Sequence, residues 1–163
     1  VESLKKLVDV FAKYGKMPEI TKESANIVEM IEDVVSLYKG FKDIAINVTI
    51  ADDITHVHVD KEQFKRVIIN VVDNAINAMR NSGTINIDAY IKESTLIINI
   101  ADNGKGIADE EKEKLFIPYF SKTKGGTGLG LAISARIIAD HGGRITIKDN
   151  IPKGSIFTVE VPV

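Results

Sequence analysis

Cysteine is absent from this sequence, which excludes disulfides, thiolate chemistry and zinc sites built on sulfur, though it does not fix a compartment. No apolar run approaches the roughly 20 residues that a bilayer-spanning helix needs. No signal peptide is visible, and Val1 falls inside a helical pattern, so the chain is expected to be a piece excised from something longer. Net charge is small: a formal balance of −2 gives no electrostatic reason to expect nucleic acid as a partner. What is present is ordinary for a globular protein, with 44% hydrophobic and 27% charged residues, and 163 residues suit one domain with a sizeable core.

The most concentrated feature is Gly125-Gly126-Thr127-Gly128-Leu129-Gly130-Leu131-Ala132, where glycines alternate with small or apolar residues and lead into a helical pattern lasting to His141. Glycine admits positive φ and lets a ligand approach the main chain. The start of the following helix offers unpaired N–H groups and partial positive charge, which suits a phosphate, and Thr127 adds a hydroxyl. Two familiar phosphate loops are excluded: no Gly-Lys-Ser/Thr ends the run, and the spacing is Gly-x-Gly-x-Gly, not Gly-x-Gly-x-x-Gly. Taken alone, such a cluster is more simply a flexible turn before a helix.

Along the chain, Leu4, Leu7, Val8, Phe11 and Tyr14 sit at helical spacing, with Gly15 and Pro18 as a stop. That stripe needs a partner, either this domain or a second chain, and residues 16–25 read as a linker. Asn26-x-x-Glu29 resembles a capping box before a helix that Gly40 ends. A strand is expected over Ile44–Ile50 and a short one around Val57 and Val59. The alternating His56 and His58 could pair on a metal, but no further ligand cluster completes them, and solvated strand positions are the simpler reading. Asp60-x-x-Gln63 opens a long helix whose core face runs from Phe64 to Met79. Asn70, Asp73, Asn74 and Asn77 lie opposite. Asparagines on one helix face cost helix stability and invite a functional explanation; a merely solvated face remains the alternative.

Two alternating strands follow, around Ile85–Ile91 and Leu96–Ile100, with Lys92-Glu93-Ser94 as the turn. The second runs into Asp102-Asn103-Gly104-Lys105-Gly106-Ile107. This is either an ordinary Asp–Gly turn or a carboxylate at the floor of a pocket, accepting from a ligand amine. Residues 108–125 make a long connection, first charged and helical, then apolar through Phe116 and Phe120, then basic; such a connection is more often a lid than filler. His141 reads as a helix-end residue rather than a catalyst, and two closing strands follow around 144–148 and 155–161.

Four stretches in this order, Asn-x-x-x-Asn-Ala from Asn70, Asp-x-Gly-x-Gly-Ile from Asp102, Phe-x-Pro-Tyr-Phe from Phe116 and Gly-Thr-Gly-Leu-Gly-Leu-Ala-Ile from Gly126, resemble the N, G1, F and G2 boxes of bacterial sensor histidine kinases. The likeness is to their catalytic, ATP-binding domain, of the superfamily that includes gyrase, Hsp90 and MutL ATPase domains. It covers about residues 20–163, while residues 1–19 look like the end of the second dimerisation helix and its linker, similar in detail to the nitrogen-regulation branch.

The resemblance implies an α/β fold: a two-layer sandwich of the Bergerat type, with a mixed sheet, helices on one face and an ATP lid. It implies ATP and Mg²⁺ as ligands. Asn74 would ligate the metal and Asn70 would orient the phosphates or a metal-bound water. Asp102 would recognise the adenine amino group, with Gly104, Gly106 and Ile107 lining the base. Phe116 and Phe120 would anchor the lid, and Gly126, Thr127, Gly128, Leu129 and Gly130 would bind phosphates. The implied partners are the dimerisation domain carrying the acceptor histidine, and a response regulator, in a homodimeric full-length kinase. The domain would be cytoplasmic; whether the whole kinase is membrane-anchored stays open.

Two departures stand out. Where the family often has Thr-Lys before the glycine loop, the order here is Ser121-Lys122-Thr123-Lys124, so Lys122 and Lys124 both remain candidates for the γ-phosphate. Many relatives have a lysine or arginine where Asn77 stands, so that contact is missing or has moved to Arg80. The superfamily's hydrolases place a glutamate base where Asn70 stands; an amide cannot take that proton, which favours phosphoryl transfer over the alternatives of ATP hydrolysis or non-catalytic nucleotide binding. None of His56, His58 and His141 lies in an acceptor motif, so this chain alone is not expected to label itself.

Overall fold

The structure, a computed structural model, describes residues 4, 5, 8, 12, 17, 19–118, 120 and 128–163. Of the expected N-terminal helix, Leu4, Lys5, Val8 and Ala12 are helical, with Leu4 and Val8 67% and 59% exposed; this domain does not cover them. Leu7, Phe11, Tyr14, Gly15 and Pro18 lie outside the described residues, as do Lys122, Lys124, Gly126 and Thr127.

Both expected helix starts are capped as their sequences imply. Asn26 Oδ1 accepts from the N–H groups of Val28 and Glu29 at 3.0 and 3.2 Å, opening helix α1 (Ile27–Ser36). Asp60 Oδ1 accepts from Gln63 N at 3.2 Å, opening helix α2 (Lys61–Ala78). Residues 37–40 form turns, so α1 stops one turn short of the expected Gly40. Strand β1 (Glu23–Asn26) is a correction to the linker reading: it pairs antiparallel with β3 (His56–Val59) and buries Ala25. Its four residues show no alternation of apolar and polar types, so only the tertiary pairing reveals it.

The main sheet has the order β2-β4-β5-β7-β6, with β2 (Ile44–Ile50) parallel to β4 (Gly83–Lys92) and every other pair antiparallel. Glu93 and Ser94, both at positive φ, turn β4 into β5 (Thr95–Asp102), the geometry that matches strand twist in a two-residue hairpin. After a short helix α3 (Asp109–Lys112), helix α4 (Gly130–Asp140) leads to β6 (Arg144–Asp149) and β7 (Ser155–Pro162). α4 closes in a Schellman motif: Gly142 at φ +79° donates to Ala139 O and Gly143 donates to Ile138 O, each at 2.9 Å.

One sheet face carries Ile85, Ile87, Ile98, Ile100, Phe157 and Val159 into a core shared with the apolar stripes of α1, α2 and α4. The other face bears a cross-strand row of Thr49, Asp88, Asn99, Thr158 and Thr146, with Thr158 Oγ1 donating to Asn99 Oδ1 at 2.7 Å. The result is the expected two-layer sandwich, with helices on one face of a mixed sheet. It brings the end of β5, the second half of α2 and the start of α4 together.

Candidate functional site

β5 delivers Asp102 to the edge of the core, where the residue is only 2% exposed. Its Oδ1 accepts two main-chain N–H groups, from Gly104 at 2.9 Å and Ser155 at 3.3 Å. Its Oδ2 accepts nothing among the described residues and is not fully enclosed. Burial pushes the carboxyl above its ordinary value, against the pull of those two hydrogen bonds. The arrangement leaves one fixed, partly dehydrated acceptor, suited to a ligand N–H.

The loop after Asp102 lies against the last turn of α2. Lys105 N donates to Ala78 O at 3.1 Å, and a Cβ on Gly104 would sit 2.7 Å from that carbonyl, so only glycine lets the loop approach this closely. Gly106 sits at φ +77° and Ile107 packs on the core. Behind Asp102 stands the β6–β7 turn, which no motif in the sequence assigns to the site. Asn150 Nδ2 donates to Asp102 O at 2.8 Å, and a Cβ on Gly154 would fall 1.9 Å from that same oxygen. Only a three-dimensional contact between residues 48 apart carries this signal.

The polar face of α2 splits into separate tasks. Asn70 Nδ2 donates both to Gly130 O at 3.0 Å and to Ser134 Oγ at 2.9 Å, clasping the first turn of α4. Both amide hydrogens are therefore used and only Oδ1 remains available. Asn74, one turn on, is half-buried, and its amide makes no hydrogen bond among the described residues. Asp73 faces the turn after α1 instead, accepting from the Tyr38 hydroxyl at 2.7 Å. Burial, then the Asp73 carboxylate, holds the Tyr38 phenol well above its ordinary range, so it stays a donor. Asn77 is exposed.

Gly128 adopts φ +70° and Leu129, buried, is the N-cap of α4; its side chain has no oxygen to offer the first turn. Phe116 and Phe120 are half-buried, and Phe116 packs with Leu115 against the core. Lys112 pairs with Asp109 and reaches Asp149 at 2.8 Å, tying α3 to the end of β6. His56 and His58 are exposed on β3. His141 is buried, with Nε2 accepting from Asp60 N at 3.0 Å and Nδ1 2.7 Å from Ile137 O. These partners fix the neutral Nδ1–H tautomer and leave no ring nitrogen for chemistry. Asp60 also receives Thr21 N on Oδ2 at 2.8 Å. Among the described residues no cluster of three or more His, Asp or Glu side chains could hold a metal unaided.

The family described as "Histidine kinase-, DNA gyrase B-, and HSP90-like ATPase" matches residues 59–163. Sensor histidine kinase ZraS of Salmonella typhimurium is 34% identical over 168 residues, covering 99% of this chain and 36% of ZraS, so the chain spans little more than a third of that relative. Among solved structures, the nucleotide-free catalytic domain of histidine kinase ThkA superposes with a TM-score of 0.81 at 32% identity, covering 88% of this chain and 96% of that one. Histidine kinase ThkA in complex with the response regulator protein TrrA gives 0.83 at 28% identity, covering 99% of this chain and 47% of that chain.

Proposed function

Since the chain belongs to the histidine kinase-, DNA gyrase B- and HSP90-like ATPase family, a family that binds ATP, we propose that it is the ATP·Mg²⁺-binding catalytic domain of a two-component sensor histidine kinase. Residues 20–163 form that domain and residues 1–19 end the dimerisation domain before it. The observation that carries the reading is Asp102, buried, saturated on Oδ1 and open on Oδ2. Such an acceptor favours the adenine amino group, whereas guanine presents a carbonyl oxygen there. Gly104, Gly106 and Ile107 flank the base, with Phe120 closing from the lid.

At the other end of the nucleotide, the start of α4 receives the phosphates through main-chain N–H groups of Gly126 to Gly130, with Thr127 and either Lys122 or Lys124 assisting. Asn74 suits a hard cation: a neutral amide oxygen adds no negative charge beside a triphosphate, and a site with few protein ligands leaves positions for phosphate and water oxygens. Bound there, Mg²⁺ would neutralise developing phosphate charge. Asn70 holds α4 in place and keeps Oδ1 available to orient the phosphates or a metal-bound water.

The reaction moves the γ-phosphoryl of ATP to a histidine ring nitrogen, breaking the bond to the ADP oxygen and forming a P–N bond. The acceptor belongs to a dimerisation domain outside this chain, since His141 has both nitrogens engaged and His56 and His58 lie on β3. Transfer is favoured over hydrolysis because Asn70 stands where the hydrolases have their glutamate base, and its amide cannot take a proton from water; Asp73, the nearest carboxylate on that face, is one residue off and engages Tyr38. Downstream, a response regulator takes the phosphoryl group.

Calorimetry with ATP and ADP, with and without Mg²⁺, tests the site on the native chain and on Asp102→Ala. Mg²⁺-sensitive binding that disappears in Asp102→Ala supports the assignment; a folded protein that binds neither nucleotide sinks it. Joining the dimerisation helices should then yield acid-labile phosphohistidine.

A further inference from the structure

Asp102 disturbs the ladder that carries it. The β5–β7 register runs from Thr95↔Pro162 to Ala101↔Ile156, which places Ser155 opposite Asp102. Yet the Ser155 N–H goes to the Asp102 side chain, on Oδ1, and not to its main-chain carbonyl. That carbonyl belongs to a residue only 2% exposed and would lack a partner on the β7 side. Asn150 supplies one: its Nδ2 lies 2.8 Å from Asp102 O. The same side chain is held from its other end, with Oδ1 accepting from Ile151 N at 2.9 Å, while Asn150 N donates to Gly154 O at 3.0 Å and closes the turn. Gly154 clears the space, because any Cβ there would collide with Asp102 O.

We propose that Asn150 is a positioning residue for base recognition: by satisfying the Asp102 carbonyl it frees the Ser155 N–H to fix the carboxylate, and so aims Oδ2 at the base. Without the Asn150 amide, the cheapest repair is for Ser155 N–H to return to the carbonyl, as in a regular ladder. Oδ1 then loses one of its two donors and the carboxylate is free to rotate about its remaining bond to Gly104. Asn150 itself touches no ligand. The inference rests on the adenine reading of Asp102 and deepens it.

The test compares ATP with purine riboside triphosphate, which lacks the 6-amino group, on the native chain, Asn150→Ala and Asn150→Asp. The aspartate variant keeps an acceptor for Ile151 N, and thus the turn, while losing the donor. Both variants should weaken ATP binding about five- to tenfold, the worth of one neutral hydrogen bond, and leave the analogue within about twofold. A general loosening of the pocket would lower both ligands equally and would overturn the proposal, as would unchanged preference in both variants. A native chain that does not distinguish ATP from the analogue fails earlier, at the assignment of Asp102 itself. Thermal melts of each variant accompany the titrations, and should either variant unfold, the other decides between these outcomes.

Discussion

The two ends of the proposed nucleotide site are built by opposite means. At the base end, main-chain N–H groups from the loop after β5 and from β7 hold the Asp102 carboxylate, and the Asn150 side chain in the β6–β7 turn holds its main-chain carbonyl, leaving a single carboxylate oxygen without a donor among the described residues. At the phosphate end, the Asn70 side chain of α2 holds the Gly130 carbonyl and the Ser134 hydroxyl of α4, and the groups left over are helix N–H donors and the Asn74 amide. The first end is a fixed acceptor in a rigid frame. The second is a pair of core-packed helices latched at one end by one asparagine. A base has one shape and one donor pattern to read, whereas phosphates are charged and shed one group during reaction, so the contrast suits their tasks.

The contrast can be broken most severely at Gly154. Gly154→Ala places a Cβ 1.9 Å from Asp102 O at a φ of +103°, and should destabilise the fold by about 3 kcal/mol or more, visible as a melting point lower by roughly 10 °C. An alanine that melts like the native protein would mean the turn is not packed on Asp102.

Asp102→Asn sharpens the comparison, because it separates binding from stability. Presenting an amide N–H in place of the open oxygen should weaken ATP by about 2–3 kcal/mol, roughly 30- to 150-fold in calorimetry. The pH dependence has a definite sign. Burial raises the folded carboxyl above its unfolded value, so its contribution to stability is present below the ordinary aspartate range and is lost as pH rises through the raised value. The ligand-free asparagine variant should therefore be at least as stable as the native chain at pH 7, with the advantage fading in acid. Denaturation at pH 7 and pH 4 checks this.

At the phosphate end, Asn70→Ala removes two donated bonds but leaves Gly130 O still bonded to the Ser134 hydroxyl at 2.9 Å. A loss of about 1–2 kcal/mol in denaturant unfolding is expected, together with weaker ADP binding. Asn77→Ala, at an exposed position, should change stability by less than about 0.5 kcal/mol. A larger change in nucleotide affinity there would restore Asn77 as a phosphate contact.

Helix starts, hairpin and core stripes are legible because each rests on residues close in sequence: Asn26 and Asp60 as caps, Glu93 and Ser94 as a turn, Phe64 to Ile76 as one face. Asp102 is legible as a strand-end acid before Gly-x-Gly. The frame around it is not, since Asn150 and Gly154 act on a main-chain oxygen, which has no sequence signature of its own. Periodicity presents Asn70–Asn77 as one surface, yet it serves two neighbours, because the turn after α1 and the start of α4 meet different sides of α2. Strand β1 is hidden for the same reason: partner β3, not its own residue pattern, makes it a strand.

The bond between the Asp60 amide and His141 Nε2 joins residues 81 apart, and its acceptor sits at the C-terminal end of the helix whose other end is the proposed phosphate site. That one backbone proton is thus a built-in gauge of how firmly α4 is docked. Its exchange with deuterated solvent should slow whenever a ligand at the far end of α4 holds the helix down. A single amide at the mouth of α2 would then report, over the length of a helix, on what occupies the glycine loop.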